Sequence, residues 1–402
     1  MIVYNNIESE ITDVYLGNKS IAQVYIGSNK VFPSDVPPTL HNRYVYERAN
    51  GETGVNECNS DSVLDWFELN QIDENYDTIV KITIGECIDT IDESCFTYLK
   101  VLSTVDMSKS SVVSIGHNAF FPYWGVSQQS ALTGVTFSPM LQTIGGVAFQ
   151  NCKSIRTINL PNTVTFIGAD AFSDCTALYD ISSLSGTQIT KIERSTFDGD
   201  SSLVKVSIPT TCKEIGGGAF KGCTNIRTFD FKNVTTFGSL AFYDCSSLSS
   251  VTLANGTNTI PSGCFGRCSG IKSLSLPNSI ITIGENAFYG CSNLTGHITL
   301  PSSLVTLDNG AFYNTNLSSV TLPSNLATIG SDVFGNVHMD YAECLATIPP
   351  KLAKANVFGG YNDSKYTYPI YVPDESYEEY CQSTNWKNYA DAGRLKPLSQ
   401  KP

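Results

Sequence analysis

Residues 144–161 read IGGVAFQNCKSIRTINLP and residues 283–301 read IGENAFYGCSNLTGHITLP, with the first isoleucine, the alanine, the phenylalanine and the cysteine at the same spacing in both stretches. In each, an Ile-Gly pair precedes an Ala-Phe pair by two residues, and a cysteine follows the phenylalanine by three. The phenylalanine recurs at positions 96, 120, 149, 172, 197, 220, 242, 265, 288, 312 and 334, at intervals of 22 to 29 residues. A period near 23 held over eleven positions predicts a solenoid in which each copy is one turn.

The chemistry of one copy predicts strands and tight bends. Segments such as Val251-Thr252-Leu253 alternate apolar and polar residues, which indicates short strands with one buried face. A proline follows several of these strands and ends them. We expect the glycine of the Ile-Gly pair to permit a tight bend. The Ala-Phe pair then directs a ring into the interior. A single copy cannot bury its own apolar face, so the sequence predicts stacked turns with a shared core, a mainly β rod.

Six of the thirteen cysteines follow their phenylalanine by three residues, which places one in the same position of each turn. We expect a column of free, packed thiols, as in a chain that matures in a reducing cytoplasm, although bridges between neighbouring turns are sterically conceivable. A zinc site would need CxxC pairs, which the sequence lacks, so we expect no metal or other cofactor. The predicted structural ladder consists of Cys152, Cys175, Cys223, Cys245, Cys268 and Cys291.

Composition excludes several classes of protein. With 25 Lys+Arg against 38 Asp+Glu, the net charge is -13, which argues against nucleic acid or an anionic membrane as partner. No apolar run approaches the roughly 18 residues of a membrane span. Residues 1–8 are not a basic leader, and no apolar stretch follows them. We therefore expect no Sec-dependent export in this form.

Catalytic chemistry is not expected. His41, His117, His297 and His338 lie far apart in the sequence, and in a rod that distance largely becomes distance in space. A Ser-His-Asp constellation or a three-ligand metal site is therefore not predicted, and we expect no enzymatic activity.

The outward residues of the predicted strands are small and polar. They lack the Tyr, Trp and Arg typical of tight protein interfaces, so the face is a poor candidate for one, and weak or multivalent contact with glycans stays open. The pairs are Thr157/Asn159, Lys205/Ser207, Thr228/Asp230, Ser250/Thr252, Ser273/Ser275, His297/Thr299 and Ser319/Thr321.

The pattern I-G-x-x-A-F-x-x-C-x-x-L-x-x-V-x-L-P resembles the BspA-type leucine-rich repeat, over residues 79–345. This resemblance implies a right-handed leucine-rich-repeat solenoid of about eleven turns with adhesion or binding at surfaces as its function. It implies no particular ligand.

Residues 1–34 differ from the repeat, because 11–20 are nearly duplicated in 21–30. Two strands around a Gly-Asn-Lys turn predict a β-hairpin, which is marginal in water without a partner surface. It is either a cap folded onto the solenoid or a docking module. The segment resembles those that open virion proteins of tailed phages of gut bacteria, which favours docking to other virion proteins. The candidate docking residues are Val14, Tyr15, Leu16, Val24, Tyr25 and Ile26.

The remaining segments are expected to cover the two ends of the solenoid. Residues 35–78 are predicted to be a linker and N-terminal cap with a short helix over 61–67, and 346–402 a C-terminal β/α cap. Two aromatic-rich loops interrupt the pattern, and they either carry recognition or fold back over the core. Their candidate contact residues are Phe121, Tyr123, Trp124, Tyr361, Tyr366 and Tyr368.

Together these features predict a non-enzymatic structural or adhesion protein of a phage virion, as a fibre, decoration or tail-associated component. It would be made in the host cytoplasm, dock by its N-terminus, contact a host surface protein or glycan, and oligomerise only within the assembly. The alternatives are a bacterial cell-surface adhesin of the same repeat class and an intracellular protein-binding scaffold.

Overall fold

The computed structural model describes residues 25–26, 29–30, 42–57, 61–65, 69, 78–122, 130–360 and 364–402. It is a mainly β solenoid of about 14 turns of parallel strands with few helices, which confirms the predicted fold class. The turns exceed the predicted eleven because stacking continues on both sides of the eleven phenylalanine positions, to strand Val63–Leu64 at one end and Phe358 at the other.

The N-terminal part contains a short strand pair and a hairpin. Strands β1 (Tyr25–Ile26) and β2 (Asn29–Lys30) pair antiparallel with each other. Strands β3 (Asn42–Arg48) and β4 (Thr53–Glu57) form an antiparallel hairpin.

The predicted helix over residues 61–67 is wrong where the structure describes it. Strand β5 (Val63–Leu64) occupies this position and pairs parallel with Thr90–Ile91 of the next turn, which satisfies its backbone groups in the ladder. Strand β6 (Ile79–Ile84) pairs antiparallel with β3, so the hairpin rather than a helix covers the first strand of the main sheet.

Two rows of parallel strands run along the solenoid. In chain order the strands are β7 (Thr90–Ile91), β8 (Thr104–Asp106), β9 (Ser114–Ile115), β10 (Gly134–Thr136), β11 (Thr143–Ile144), β12 (Phe166–Ile167), β13 (Asp180–Ile181), β14 (Lys191–Ile192), β15 (Lys205–Val206), β16 (Glu214–Ile215), β17 (Thr236–Phe237), β18 (Ser250–Thr252), β19 (Thr259–Ile260), β20 (Ser273–Ser275), β21 (Thr282–Ile283), β22 (Thr295–Thr299), β23 (Thr306–Leu307), β24 (Asn316–Leu322), β25 (Thr328–Ile329), β26 (Tyr341–Cys344) and β27 (Lys351–Leu352). The Ile-Gly row consists of the short strands β5, β7, β9, β11, β12, β14, β16, β17, β19, β21, β23, β25 and β27. The other strands from β6 onward form the second row, called the sheet face below. Strands of neighbouring turns pair within a row, so residues one repeat apart in sequence become neighbours.

The core is a column of stacked phenylalanine rings, one for each turn. From Phe96 to Phe358 successive rings lie 4.6 to 5.8 Å apart between centroids, with at most 22° between their planes. Nearly all of these rings are buried to within a few per cent of their surface. The column therefore supplies the shared interior that a single turn lacks.

The bend between the Ile-Gly and Ala-Phe pairs works differently from the expectation. The glycine after the isoleucine has no positive φ; instead a Cβ added to Gly145 would lie 2.6 Å from the carbonyl carbon of Gly116 in the preceding turn. Close approach of successive backbones thus excludes a side chain there. From Phe149 to Phe334, left-handed residues lie two positions before and two after the phenylalanine of each turn, as at Asn286 (φ 55°) and Gly290 (φ 70°).

The C-terminal cap combines strands and two short helices. Strands β28 (Ile370–Val372) and β29 (Leu395–Pro397) extend the sheet face, and helices α1 (Tyr377–Gln382) and α2 (Trp386–Asp391) lie between them in sequence. Two three-residue 3-10 helices belong to the cap, Asp374–Ser376 and Leu398–Gln400. A five-residue 3-10 helix, Ser182–Gly186, lies within the solenoid. Tyr380, Trp386 and Tyr389 are fully buried against Phe358 and one another, which closes the apolar end of the column.

Candidate binding surface on the sheet face

The sheet face presents the predicted small polar side chains to solvent along most of its length. The outward residues from Thr157 to Thr299 are exposed, while apolar neighbours such as Val251 and Ile298 point into the core. Alternation along each strand produces this division, since successive side chains leave opposite faces. Ser319 and Thr321 differ from the expectation, because only 3% and 8% of their surfaces are exposed.

His297 is the centre of a hydrogen-bonded group at the C-terminal end of this face. Its Nδ1 lies 2.8 Å from Ser319 Oγ, and its Nε2 lies 3.1 Å from Thr299 Oγ1 and 3.4 Å from Thr321 Oγ1. Thr321 donates its only hydroxyl proton to Glu343 Oε2 at 2.7 Å, so its oxygen is left to accept from His297. This favours the tautomer with the proton on Nε2, with Nδ1 accepting from Ser319.

An ion pair closes the group. The ammonium of Lys401 donates to Glu343 Oε1 and lies 4.5 Å from the ring centroid of Tyr341. Burial acts to raise the pKa of Glu343, but hydrogen bonds from Lys401 and Thr321 outweigh it and lower that pKa below its ordinary value. The same contact raises the pKa of Lys401. Both groups are therefore charged at neutral pH, and the C-terminal tail is held on the sheet face.

The prediction against a Ser-His-Asp constellation rested on the distance of the four histidines from one another and did not consider the neighbours of His297 across turns. Ser319 and Glu343 lie one and two turns further along the solenoid, so parallel pairing brings all three residues to one place. The arrangement differs from a Ser-His-Asp triad, because 97% of Ser319 is covered and Nε2 of the histidine meets the hydroxyls of Thr299 and Thr321 instead of a carboxylate. Its chemistry is that of a rigid polar surface which offers oriented hydroxyl and imidazole groups.

Tyr341, Glu343 and Lys401 were not predicted as part of this surface. A signal for the first two exists in the sequence, because they follow Ser319 and Thr321 by 22 residues. Lys401 comes from the tail after the repeats and has no such signal.

The predicted contact loops are only partly contact surfaces. Tyr368 is not an exposed contact residue, since only 6% of its surface is exposed. Its hydroxyl donates to the Phe358 carbonyl at 2.9 Å, and Arg394 stacks on its ring. It therefore covers the core instead of projecting. Tyr366 is half-buried, with its ring stacked on His338 at 5.4 Å and its hydroxyl accepting from the amide of Asn336.

Other predicted site residues have little or no structural description. Phe121 is half-buried, while Tyr123, Trp124 and Tyr361 lie outside the described residues. Of the candidate docking residues, Tyr25 and Ile26 form strand β1; the residues that lie outside the described ranges are Val14, Tyr15, Leu16 and Val24.

The cysteine column is present as predicted. All six ladder cysteines are buried free thiols, and each donates to the carbonyl of a phenylalanine in the preceding turn, as Cys175 does to Phe149 at 3.1 Å. Burial raises the pKa values of five of them, to about 12 for Cys152, so these five are protonated and unreactive; the five are Cys152, Cys175, Cys223, Cys245 and Cys291. Asp200 and Thr315 occupy the same position in two other turns.

One cysteine departs from the expectation of unpaired thiols throughout. Cys87, in the turn that follows β6, is disulfide-bonded. It lies outside the column, so the packing argument for the six ladder thiols does not apply to it.

Two further kinds of feature, metal-binding clusters and membrane-spanning helices, bear on function. Within the described residues, no group of three or more His, Cys, Asp or Glu side chains is arranged to hold a metal ion. None of the helices in the same ranges combines the length and apolar character needed to cross a bilayer.

Comparison with known families identifies the repeat. The profile of the BspA type leucine rich repeat region matches residues 70–126, 126–249 and 232–340, which is more than half of the chain. The chain belongs to this family. BspA-type solenoids of this kind are typically binding scaffolds, and leucine-rich-repeat proteins generally bind proteins. A comparison with curated proteins gives no match.

Solved structures with similar folds come from several bacteria. A leucine-rich repeat protein of Bacteroides ovatus is 19% identical, with 98% of this chain and 100% of that chain covered and a TM-score of 0.49. A leucine rich cell surface protein of Faecalibacterium prausnitzii is 18% identical, covering 78% of this chain and 96% of that chain at a TM-score of 0.37. The pneumococcal vaccine antigen PcpA is 18% identical, covering 81% and 80% at a TM-score of 0.40.

Proposed function

We propose that this chain is a non-enzymatic adhesion protein of a phage virion, as a fibre, decoration or tail-associated component. Its N-terminal residues 1–34 dock to other virion proteins, and its solenoid is displayed to bind a protein or glycan of the host surface. The observation that supports binding is the polar sheet face, which carries exposed hydroxyl groups and His297 on a rigidly stacked core. Repeats of this class bind partners through extended surfaces of this kind.

The docking part of the proposal rests on the sequence of residues 1–34. Their near-duplicate Val-Tyr segments are apolar enough to need a partner surface, and they precede a Pro-Pro linker at 37–38. A module that is separated from the solenoid in this way leaves the solenoid free to extend from the particle.

Removal of residues 1–34 tests docking. We expect the shortened chain to fold, because the hairpin β3–β4 and the solenoid lie within residues 42–402. It should be lost from purified particles, as quantified by mass spectrometry. A full-length His297→Ala variant is the matched control and should be incorporated normally. Normal occupancy of the shortened chain would contradict the proposal.

Lysine substitutions test the display of the sheet face. Ser275→Lys places a long cation among exposed small residues of the sheet face and should reduce adsorption of the chain to host cells. Thr282→Lys is the control: it lies in the Ile-Gly row, seven residues further along the sequence, and should leave adsorption unchanged. Equal adsorption of both variants with the wild type would exclude the sheet face as the contact.

The Cys87 disulfide favours a second candidate, a bacterial cell-surface adhesin of the same repeat class. Disulfides persist in oxidising compartments outside the cytoplasm and are rare within it. In this case protease treatment of intact bacterial cells should release solenoid peptides, whereas a virion protein should appear in purified particles and not at the surface of uninfected cells.

A further inference from the structure

A groove lies beside the phenylalanine column, away from the sheet face, where three consecutive turns meet. Its volume is about 320 Å³, and its walls include Asn286, Asn309 and Asp332 together with two tyrosines, Tyr289 and Tyr313. These residues occupy matching positions of their turns: the tyrosines directly follow the column phenylalanines, and Asn286 and Asp332 precede theirs by two.

Glycine replaces a side chain at the wall of the groove in one turn. Gly310 has φ 60° and stands between Asn286 and Asp332 in the left-handed position before the phenylalanine. A Cβ added to Gly310 would lie 2.4 Å from Asn286 Oδ1, so the glycine makes room for the Asn286 carboxamide at the groove.

The two tyrosines form one aromatic wall. Their rings stack with centroids 5.6 Å apart and 16° between the planes, and Tyr313 lies against Gly335 on its other side. The stack fixes both rings at the side of the groove. Such a wall contacts the C–H faces of a ligand without large changes in side-chain conformation.

The polar groups around the wall supply both hydrogen-bond donors and acceptors. Asn309 Oδ1 accepts from Ser331 N and Oγ, at 2.8 and 3.1 Å, which leaves its amide NH₂ to donate. Asp332 Oδ1 accepts from Asn356 at 2.8 Å, and its second oxygen is available as an acceptor. Among the residues that the structure describes, no Lys or Arg lines the groove.

We propose that this groove binds a glycan of a cell surface. Sugar hydroxyl groups both donate and accept, as do the groups here, whereas an anion would need only donors and a metal cation only acceptors. An open groove of this size fits a segment of a saccharide chain more readily than an enclosed small molecule. The inference rests on the proposed function, since it assigns a ligand class to the displayed solenoid.

The test uses the full-length chain, fluorescently labelled, on a microarray of immobilised bacterial surface polysaccharides and defined host oligosaccharides. The wild type should bind at least one glycan. Gly310→Asn tolerates the left-handed conformation, but its side chain would displace the Asn286 carboxamide from the wall of the groove. Asp332→Asn removes the acceptor charge without a change of shape. Each should weaken binding about tenfold or more, the effect of losing roughly one well-made interaction.

Matched controls come from equivalent positions of other turns. Gly218 has φ 64° in the same left-handed position, so Gly218→Asn repeats the substitution outside the groove. A third test variant, Tyr313→Ala, removes half of the aromatic wall and should also weaken binding. Tyr243→Ala is its control, because Tyr243 also follows its phenylalanine and packs against a glycine, Gly266. Controls should retain wild-type binding, and circular dichroism should show all variants folded.

Two outcomes would overturn the inference. If glycan binding persists in Gly310→Asn and Asp332→Asn, the groove is not the site, and the proposed display function stands. If no glycan on the array is bound, the sugar assignment is wrong, while particle incorporation and cell adsorption still test the proposed function separately.

Discussion

Replacing Asp200 by cysteine is expected to stabilise the solenoid at neutral pH, because this carboxyl stands in the cysteine column without a partner. Asp200 is fully buried, and neither of its carboxyl oxygens has a hydrogen bond to any residue that the structure describes. Burial raises the pKa of Asp200 well above its ordinary value; the nearby backbone amide of Cys175 acts in the opposite direction, and the carboxylates of Asp174 and Asp198 raise the pKa further. The thiols of Cys175 and Cys223 are the titratable neighbours in the adjoining turns.

The size and sign of the effect follow from where the proton is held. An aspartate in the unfolded chain loses its proton near pH 3.9, whereas the folded chain keeps the Asp200 proton to higher pH. Above about pH 4 the unfolded state therefore binds fewer protons, and the free energy of unfolding falls by up to about 1.4 kcal/mol per pH unit until the folded pKa is reached. A buried polar group without a partner costs about 1–3 kcal/mol, so Asp200→Cys should gain about that amount at pH 4 and more at pH 8, where ionisation of the carboxyl in the unfolded chain adds to the difference.

Urea denaturation at pH 4, 6 and 8 under reducing conditions measures this difference. Asp230→Asn is the control, because Asp230 is exposed and its replacement removes the same charge. Asp200→Cys should show an advantage over the wild type that grows with pH, and the control should show none. An advantage that is constant or shrinks from pH 4 to pH 8 would refute the reasoning.

Three further outcomes are expected. Gly145→Ala should lower the free energy of unfolding by about 1–3 kcal/mol, since its Cβ would meet the Gly116 backbone, whereas Gly134→Ala, with no atom within 4 Å of the added Cβ, should barely move the urea midpoint. Val147→Asn should raise that free energy by about 1 kcal/mol, because Val147 has φ 60° and asparagine tolerates the left-handed region, whereas Val147→Ala should not raise it. Iodoacetamide applied to the native chain should label the half-buried Cys381 before the six ladder thiols, which are fully buried; mass spectrometry showing ladder thiols labelled first would contradict this.

The repeated part of the fold was predictable because every turn makes the same contacts. Phe149 and Cys152 occupy positions that recur every 22 to 29 residues, and a buried column is the structure that satisfies such a pattern. The reason for the glycine at 145 was not predictable. A single turn read by itself suggests a bend, and only the stacked neighbour at Gly116 shows that the space beside the backbone is missing.

The candidate site was less accessible to sequence analysis. The group around His297 depends on parallel pairing of turns, which makes neighbours of residues 22 positions apart in the sequence. The distance between histidines along the rod says nothing about such neighbours. Lys401 reaches Glu343 from a tail that has no repeat, and Tyr368 folds inward because Phe358 and Arg394 offer it partners. Local composition carries no information on such long-range contacts.

The uniform stacking of Phe96 to Phe358 has a consequence for how this molecule can vary. Since each ring meets a near-identical ring before and after it, gain or loss of one whole repeat unit leaves both terminal caps with the neighbours they already have. Duplication of a 23-residue segment would then lengthen the protein by about 4.8 Å, the spacing of paired strands. Its reach is thus a quantity that genetic slippage adjusts in small increments, independently of whatever either extremity contacts.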